Sequence, residues 1–367
     1  MSVSWSQALA WRLRQHLLDP IGTESVAGVV GRLGAVQTQV PASAELAIRL
    51  RQQRSRTGEV DKALAAGLII KNWAMRGAMQ LMTPENAGVY LALRAATRMW
   101  ELPSWQSFYN MTPSDWQGFR AAAHDALAHG PMTWQELATT ITEPAKFRHL
   151  RPMFPDHWVT LLKPLAWQGD LVFGPTRDEG PTFQRLDDNP HWQGLPELDD
   201  AGTRAVEHYF RAYGPATTDH LQHWIGSGLG VGGKRLLSWI AGLGDRLTPV
   251  EIEGERAYIL SQDLQGLTAM RPSTVMRLLP AFDPWVLGPG TADSRIVPPA
   301  RRSLLSRAGA IVIIGGVVSG TWTLKNDQVA VAWFGEIGSP SHQQLADEIA
   351  RLGTILGQDL ELTTQSV

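Results

Sequence analysis

Two short stretches decide how this chain reads: Gly130-Pro131-Met132-Thr133 and Gly214-Pro215-Ala216-Thr217. In each, glycine ends one helix, and threonine, whose hydroxyl accepts a backbone N–H bond, caps the next. Each stretch follows an apolar helix (Trp116 to His129; Asp200 to Tyr213) and opens a second (134–141; 218–226). A further helix comes next (Asp156 to Gln168; Gly232 to Leu243). Strand segments close each unit: 171–173 with 183–186, then 250–252 with 257–260. Helix, turn, helix, helix, hairpin is the winged-helix pattern, and it occurs twice.

The first part of the chain reads the same way. Trp5 to Leu18 places Leu9, Leu13 and Leu17 on one helical face. Thr23 stands where it caps a helix running to Leu33, Pro41 begins another, and Glu59 to Ala66 forms a short one closed by Gly67. Strands over 68–73 and 78–81 flank a turn at Arg76-Gly77, and a long helix follows from Pro84 to Trp100. Past about residue 270, apolar runs at 275–287, 295–297, 310–314, 317–324 and 329–335 alternate with Gly, Pro, Asp and Asn turns. A helix over 342–356 and a strand at 360–362 close the chain. The expected fold is α+β: three tandem winged-helix units over 1–110, 111–198 and 199–270, with a β-barrel-like domain over 271–367.

Composition narrows the class. At 367 residues the chain is long for one core; 44% hydrophobic and 19% charged residues exclude wholesale disorder and a coiled coil. The longest apolar run, 308–318, falls short of the roughly 20 residues a membrane helix needs. Arg12, Arg14 and His16 interrupt the apolar N-terminal stretch, which is unlike a secretory signal. Without cysteine there is no disulfide framework, no thiolate-held zinc or iron–sulfur cluster and no thiol catalysis, and a cytoplasmic location is expected. The net charge of −2 argues mildly against nucleic acid, yet only 6 of the 33 basic residues are lysine. Arginine suits bidentate phosphate contacts; a GC-rich genome produces the same bias. The 15 tryptophans are expected mostly in the core.

Most motif matches dissolve on inspection. Gly228-Leu229-Gly230-Val231-Gly232-Gly233-Lys234 fits a P-loop, but Arg235 replaces the Ser/Thr that would bind magnesium, and a helix precedes it instead of a strand. There, Lys234 and Arg235 suit phosphate contact at the start of a recognition helix. His220 and His223 lack the i, i+4 spacing and the intervening Glu of a zinc pair, so no metal is expected. Gln37-Thr38-Gln39 remains, between the helix ending near Leu33 and Pro41. In an extended link, residues i and i+2 project to the same side, which sets two amides together. Ordinary polar loop residues fit this pattern as well.

The segment Gly34 to Pro41 (GAVQTQVP) with Glu45-Leu46-Ala47 resembles the signature of the AlkZ/YcaQ-like winged-helix DNA glycosylases. Trp73 to Leu81 (WAMRGAMQL) is similar to the family's W-x-M-R-G-T-x-H-L stretch, with Ala78 and Gln80 where Thr and His are common. Leu279 to Pro284 (LPAFDP) and Val318 to Trp322 (VSGTW) resemble its C-terminal signatures. The resemblance implies tandem winged helices plus a barrel, with Gln37 and Gln39 as the catalytic motif. The departures at Ala78 and Gln80 imply an altered substrate contact; Thr38, where an apolar residue is usual, leaves both glutamines in place. Roles for Gln80 and Asp283 stay open.

Two amides make chemical sense for such a reaction. Alkylation at N7 makes guanine cationic and a good leaving group, so no strong general acid is needed. An amide oxygen accepts from a water and an amide NH₂ donates, and neutral dipoles aimed at developing charge lower the barrier. The implied reaction is monofunctional hydrolysis of N7-alkylated purines in double-stranded DNA, including bulky adducts and interstrand crosslinks, in repair or in self-resistance to an alkylating natural product. Phosphate contacts are expected from Arg49, Arg51, Arg76, Lys234, Arg235, Arg301 and Arg302. No cofactor and no membrane partner are expected, and a nucleoid-associated monomer is. A non-enzymatic winged-helix regulator explains the repeats equally well but not the paired amides. A small-molecule hydrolase lacks any nucleophile or metal motif.

Overall fold

The computed structural model describes residues 3–305, 309–337 and 340–365. Helix α1 (Trp5–Gln15) opens with a capping box between Ser4 and Gln7. Its apolar face turns away from the helices that follow: Leu9 and Leu13 pack with Ile311 and Val318, and Trp11 with Ile252 and Ile259. Helix α2 (Val26–Leu33) starts at Ser25, whose hydroxyl takes the Gly28 N–H, two residues beyond the expected Thr23. Then come β1 (Val36–Gln37), α3 (Pro41–Arg49), α4 (Glu59–Ala65), β2 (Ile70–Trp73) and β3 (Met79–Met82). Their antiparallel sheet runs β1-β3-β2, a winged-helix-like unit. Val26, Val29, Val30 and Leu33 recur at helical spacing and bury themselves against Ala44, Ile48 and Leu81. Helix α5 (Pro84–Ala95) stops short of Trp100, because Arg98 adopts a left-handed φ of 46°.

After α6 (Pro103–Tyr109), the second unit contains α7 (Pro113–Ala126), β4 (Met132–Thr133), α8 (Trp134–Ile141), α9 (Phe154–Trp167), β5 (Val172–Phe173) and β6 (Thr182–Gln184), with sheet order β4-β6-β5. The third contains α10 (Leu198–Tyr213), α11 (Thr218–Leu221), a π-helical turn over 222–226, α12 (Ser227–Leu229), α13 (Gly233–Gly242), the hairpin β7 (Leu247–Ile252) and β8 (Glu255–Leu260), and α14 (Leu264–Ala269). Both repeat threonines cap as their sequence indicates. Thr133 exchanges bonds with Glu136, and Thr217 does the same with His220. The glycines serve for different reasons: Gly130 has φ 124°, whereas a Cβ on Gly214 would collide with the Phe210 carbonyl oxygen. Helix α10 is the central post, packed on α1, α5, α13 and β8. One core therefore runs from Leu91 through Trp116 and Leu161 to Tyr209 and Trp239.

The C-terminal part corrects the barrel expectation. It comprises β9 (Met276–Leu279), α15 (Pro284–Leu287), α16 (Arg302–Leu305), β10 (Ile311–Ile314), β11 (Val317–Lys325), β12 (Gln328–Trp333), α17 (His342–Leu356) and β13 (Glu361–Gln365). These strands form one open sheet, β13-β12-β11-β10-β9, whose edge strands lie at opposite ends. Helix α17 carries the chain back across the sheet, so β13 joins β12 in parallel. Its Leu345, Ile349 and Leu352 cover one face, over Met276, Leu278, Val312 and Val331. Leu9, Leu13 and Trp285 cover the other, over Ile311, Ile313 and Val318. With helices on both faces, the sheet buries its apolar surface without closing on itself. The run expected as strand over 275–287 ends at Leu279, since Asp283 caps α15 and Pro284 begins it, and 295–297 is not a strand. Residue 308 of the apolar run lies outside the described residues. No described helix is long and apolar enough to cross a membrane.

Candidate active site and nucleic-acid interface

The Gln-x-Gln segment lies between β1 and α3. The Thr38 N–H donates to the Met79 carbonyl at 2.9 Å, which keeps the chain extended past the end of β1. Thr38 is buried, so Gln37 and Gln39 emerge together on the opposite side, half-buried and exposed respectively. Gln37 Nε2 donates to Gln39 Oε1 at 2.7 Å. That bond leaves an acceptor, Gln37 Oε1, beside a donor, Gln39 Nε2. The first amides of α3, just beyond, receive no side-chain cap.

A third amide stands next to this pair. Pairing of β1 with β3 sets Gln37 directly opposite Gln80, and pairing of β3 with β2 sets Gln80 opposite Asn72. Directly opposed residues in a sheet point to the same face, so the three amides form a row. Asn72 anchors its far end, donating to the Leu171 carbonyl at 3.1 Å and accepting from the Trp73 N–H. Gln80 is only 2% exposed, and among the described residues nothing hydrogen-bonds its side chain. The sequence marks Gln80 only as a departure from a motif; its place beside Gln37 comes from the strand register.

The expected phosphate contacts divide. Arg51 is fully buried in a bidentate pair with Asp283, at 2.7 and 2.9 Å. Arg49 is buried too, bonded to the Ile355 carbonyl and to Ser55, with Glu45 at 3.6 Å. Neither is free to reach DNA, and both leave the phosphate-facing set. Asp283 holds Arg51 and caps α15 through the Trp285 N–H, so its part is structural. Arg301 is half-buried over the Phe334 ring and doubly bonded to Glu336. Arg302 is exposed, with one donor on the Ala292 carbonyl. Lys234 and Arg235 are exposed at the start of α13 and line a cavity of about 520 Å³ with Leu93, Thr97, Asp199 and Trp239. Arg76 is exposed at the tip of the β2–β3 hairpin.

The histidines point apart. His220 takes part in the α11 cap and faces Asp293 at 3.5 Å. His223 Nε2 lies 2.5 Å from Arg76 Nη2 and acts as the acceptor, so its ring is neutral; burial and the Arg76 charge push its pKa below the usual imidazole range. The glycine-rich run over 228–234 forms the α12 turn and the entry to α13, with helix before it.

These residues sit in a chain with clear relatives. Residues 30–355 match the family model described as DNA glycosylase AlkZ-like. An interstrand DNA cross-link repair glycosylase of Streptomyces sahachiroi is 35% identical over 340 residues, 91% of each chain. The solved structure of Streptomyces sahachiroi DNA glycosylase AlkZ superposes with a TM-score of 0.93 at 34% identity, covering 100% of both chains. With the Gln-x-Gln segment and most of the winged-helix-like units and the C-terminal sheet inside the span of the family model, the chain belongs to the AlkZ-like DNA glycosylase family and is an enzyme that releases bases from DNA.

Proposed function

We propose that Gln37 and Gln39 catalyse hydrolysis of the N-glycosidic bond of N7-alkylated purines in double-stranded DNA, bulky adducts and interstrand crosslinks included. The carrying observation is the 2.7 Å bond between the two amides, which leaves one acceptor and one donor side by side at an accessible surface. The cationic base departs with the glycosidic electron pair and becomes neutral. The sugar is left as an oxocarbenium-like cation. A water donates one hydrogen to Gln37 Oε1 and accepts from Gln39 Nε2, leaving a lone pair for the anomeric carbon. The Gln37 carbonyl dipole faces the positive sugar, a fixed stabilisation that needs no reorganisation. After attack, the water's proton passes to solvent, since neither amide is a base.

The cross-link repair activity in the name of the Streptomyces sahachiroi relative supports the choice of substrate. The exposed positions of Arg76, Lys234, Arg235 and Arg302 support them as phosphate contacts. On this reading the enzyme acts as a monomer at the nucleoid in the cytoplasm, in repair or in self-resistance to an alkylating natural product, and needs neither metal nor nucleotide. The test is a gel of crosslinked duplex incubated with and without EDTA, before and after alkali. Breaks that appear only after alkali, EDTA or not, support monofunctional hydrolysis. Breaks without alkali, or loss of activity in EDTA, overturn it, and a DNA-binding regulator would release no base at all.

A further inference from the structure

Two of the arginines expected to meet phosphate, Arg51 and Arg301, are each matched by a carboxylate that offsets their charge. Arg76 is held too, but by neutral acceptors from another part of the chain. Its Nη2 meets His223 Nε2 at 2.5 Å and the His223 carbonyl oxygen at 3.3 Å. Among the described residues, its Nε and Nη1 have no partner, and no carboxylate comes within ion-pair distance. Lys163 of α9, whose Nζ is 3.2 Å from where a Cβ on Gly77 would stand, is no source of negative charge either. The guanidinium is therefore fixed in place while its charge stays uncompensated. An aspartate or glutamate at position 223 would fix it equally well and cancel that charge.

Three parts of the chain meet at the His223 ring. The histidine lies in the π-helical turn over 222–226 of the third unit, a wider winding that recurs at functional sites. Arg76 comes from the tip of the β2–β3 hairpin in the first unit, with φ 52° and ψ 21°, a left-handed conformation that a non-glycine residue keeps only where its surroundings over-determine it. Gly290, beyond α15, closes on the ring: a Cβ there would stand 2.6 Å from Nε2, so a glycine is needed for the loop to come this close. Nε2 accepts from Arg76, and burial together with the Arg76 charge keeps the ring neutral. We propose that His223 is a positioning residue for DNA binding: it fixes the Arg76 guanidinium at the hairpin tip, leaving Nε and Nη1 to take a backbone phosphate of the substrate. This rests on the reading that Arg76 contacts phosphate. The advantage is preorganisation, because an arginine already ordered in the free enzyme loses little side-chain freedom when DNA arrives.

The test is a double-mutant cycle in binding, independent of base release. Affinity for a duplex bearing a tetrahydrofuran abasic analogue is measured against salt at neutral pH. The proteins are wild type, Arg76→Gln, His223→Leu, the double variant and His223→Gln. Arg76→Gln should lower the logarithmic salt slope by about 0.9. His223→Leu should weaken binding roughly fivefold, the scale of ordering one free side chain, with the slope unchanged because no charge is lost. In the Arg76→Gln background the same change should cost nothing. His223→Gln, whose amide oxygen takes the place of Nε2, should bind like wild type. Wild-type affinity in His223→Leu, or an equal loss in both backgrounds as a purely structural role would give, overturns the proposal. Wild-type affinity and slope in Arg76→Gln would instead remove the phosphate contact itself, and the proposal with it.

Discussion

Arg51, just past the end of α3, and Asp283, at the cap of α15, form a two-bonded ion pair in the interior, with side chains 0% and 1% exposed. The pair ties the helix that follows Gln39 to the C-terminal sheet. Removing one partner leaves a buried charge uncompensated, at a cost of about 3–5 kcal/mol. Arg51→Ala and Asp283→Ala should each lower the urea midpoint by a corresponding amount. The double variant Arg51→Met/Asp283→Leu should recover part of the loss. Single variants unfolding at the wild-type urea concentration would show that the pair contributes nothing.

Gln37→Ala and Gln39→Ala should each slow base release from N7-methylated DNA by roughly 10²-fold, about 3 kcal/mol, the scale of one preorganised polar contact. Duplex affinity should barely change, because neither amide is charged. Single-turnover rates at saturating enzyme are the measurement, and wild-type rates in both variants would remove the assignment.

Gln80→Leu keeps the volume of the middle side chain in the amide row and deletes its polar end. Gln80 is not hydrogen-bonded to Gln37, which Gln39 holds, but its buried polar end lies directly opposite, and without that dipole release should slow by roughly tenfold. Gln80→His should restore part of the rate and add a dependence on pH near 6.5, the ordinary imidazole value. Comparing the pH–rate profiles of the three proteins separates the polar contribution from packing, since a packing defect would follow no such titration.

Lys234 and Arg235 share the start of α13 and have no acidic partner among the described residues. If both meet phosphates, the double variant Lys234→Gln/Arg235→Gln should flatten the salt dependence of duplex binding by about two units of slope. An unchanged slope, measured by fluorescence anisotropy, would take this turn out of the interface.

His208 gives stability a direction with pH. Burial, then the charges of Arg211 and Arg204, lower its pKa to about 4. An unfolded histidine titrates near 6.5. Between those values the unfolded chain holds a proton that the folded chain does not, so stability falls as pH falls from about 6.5 to 4. The loss is on the order of 2–3 kcal/mol. His16 and His220, also lowered mainly by burial, act in the same direction. His208→Gln should have a flatter midpoint between pH 7 and pH 5. Equal losses on acidification in the variant and the parent would rule this residue out as a source.

Short-range chemistry was readable from the chain alone. The caps at Thr133 and Thr217, the strands around Arg76-Gly77 and the shared side of Gln37 and Gln39 depend on bonds and periodicities a few residues long. The family signature lies in such local runs as well. Tertiary structure decided which side chains remain free. Arg49 and Arg51 look like surface cations at a helix end until the last helix and the Asp283 turn close over them. The C-terminal apolar runs between turns read as the strands of a small barrel, but α17 and α1 cover both faces, and that covering leaves the sheet open. Gln80 comes to Gln37 through register, and Lys163 to Gly77 through helix packing. The reason is common to all four: alternation and capping are fixed by neighbours in the chain, whereas burial, register and the pairing of charges depend on residues tens to hundreds of positions away, and a single sequence carries no record of that distance.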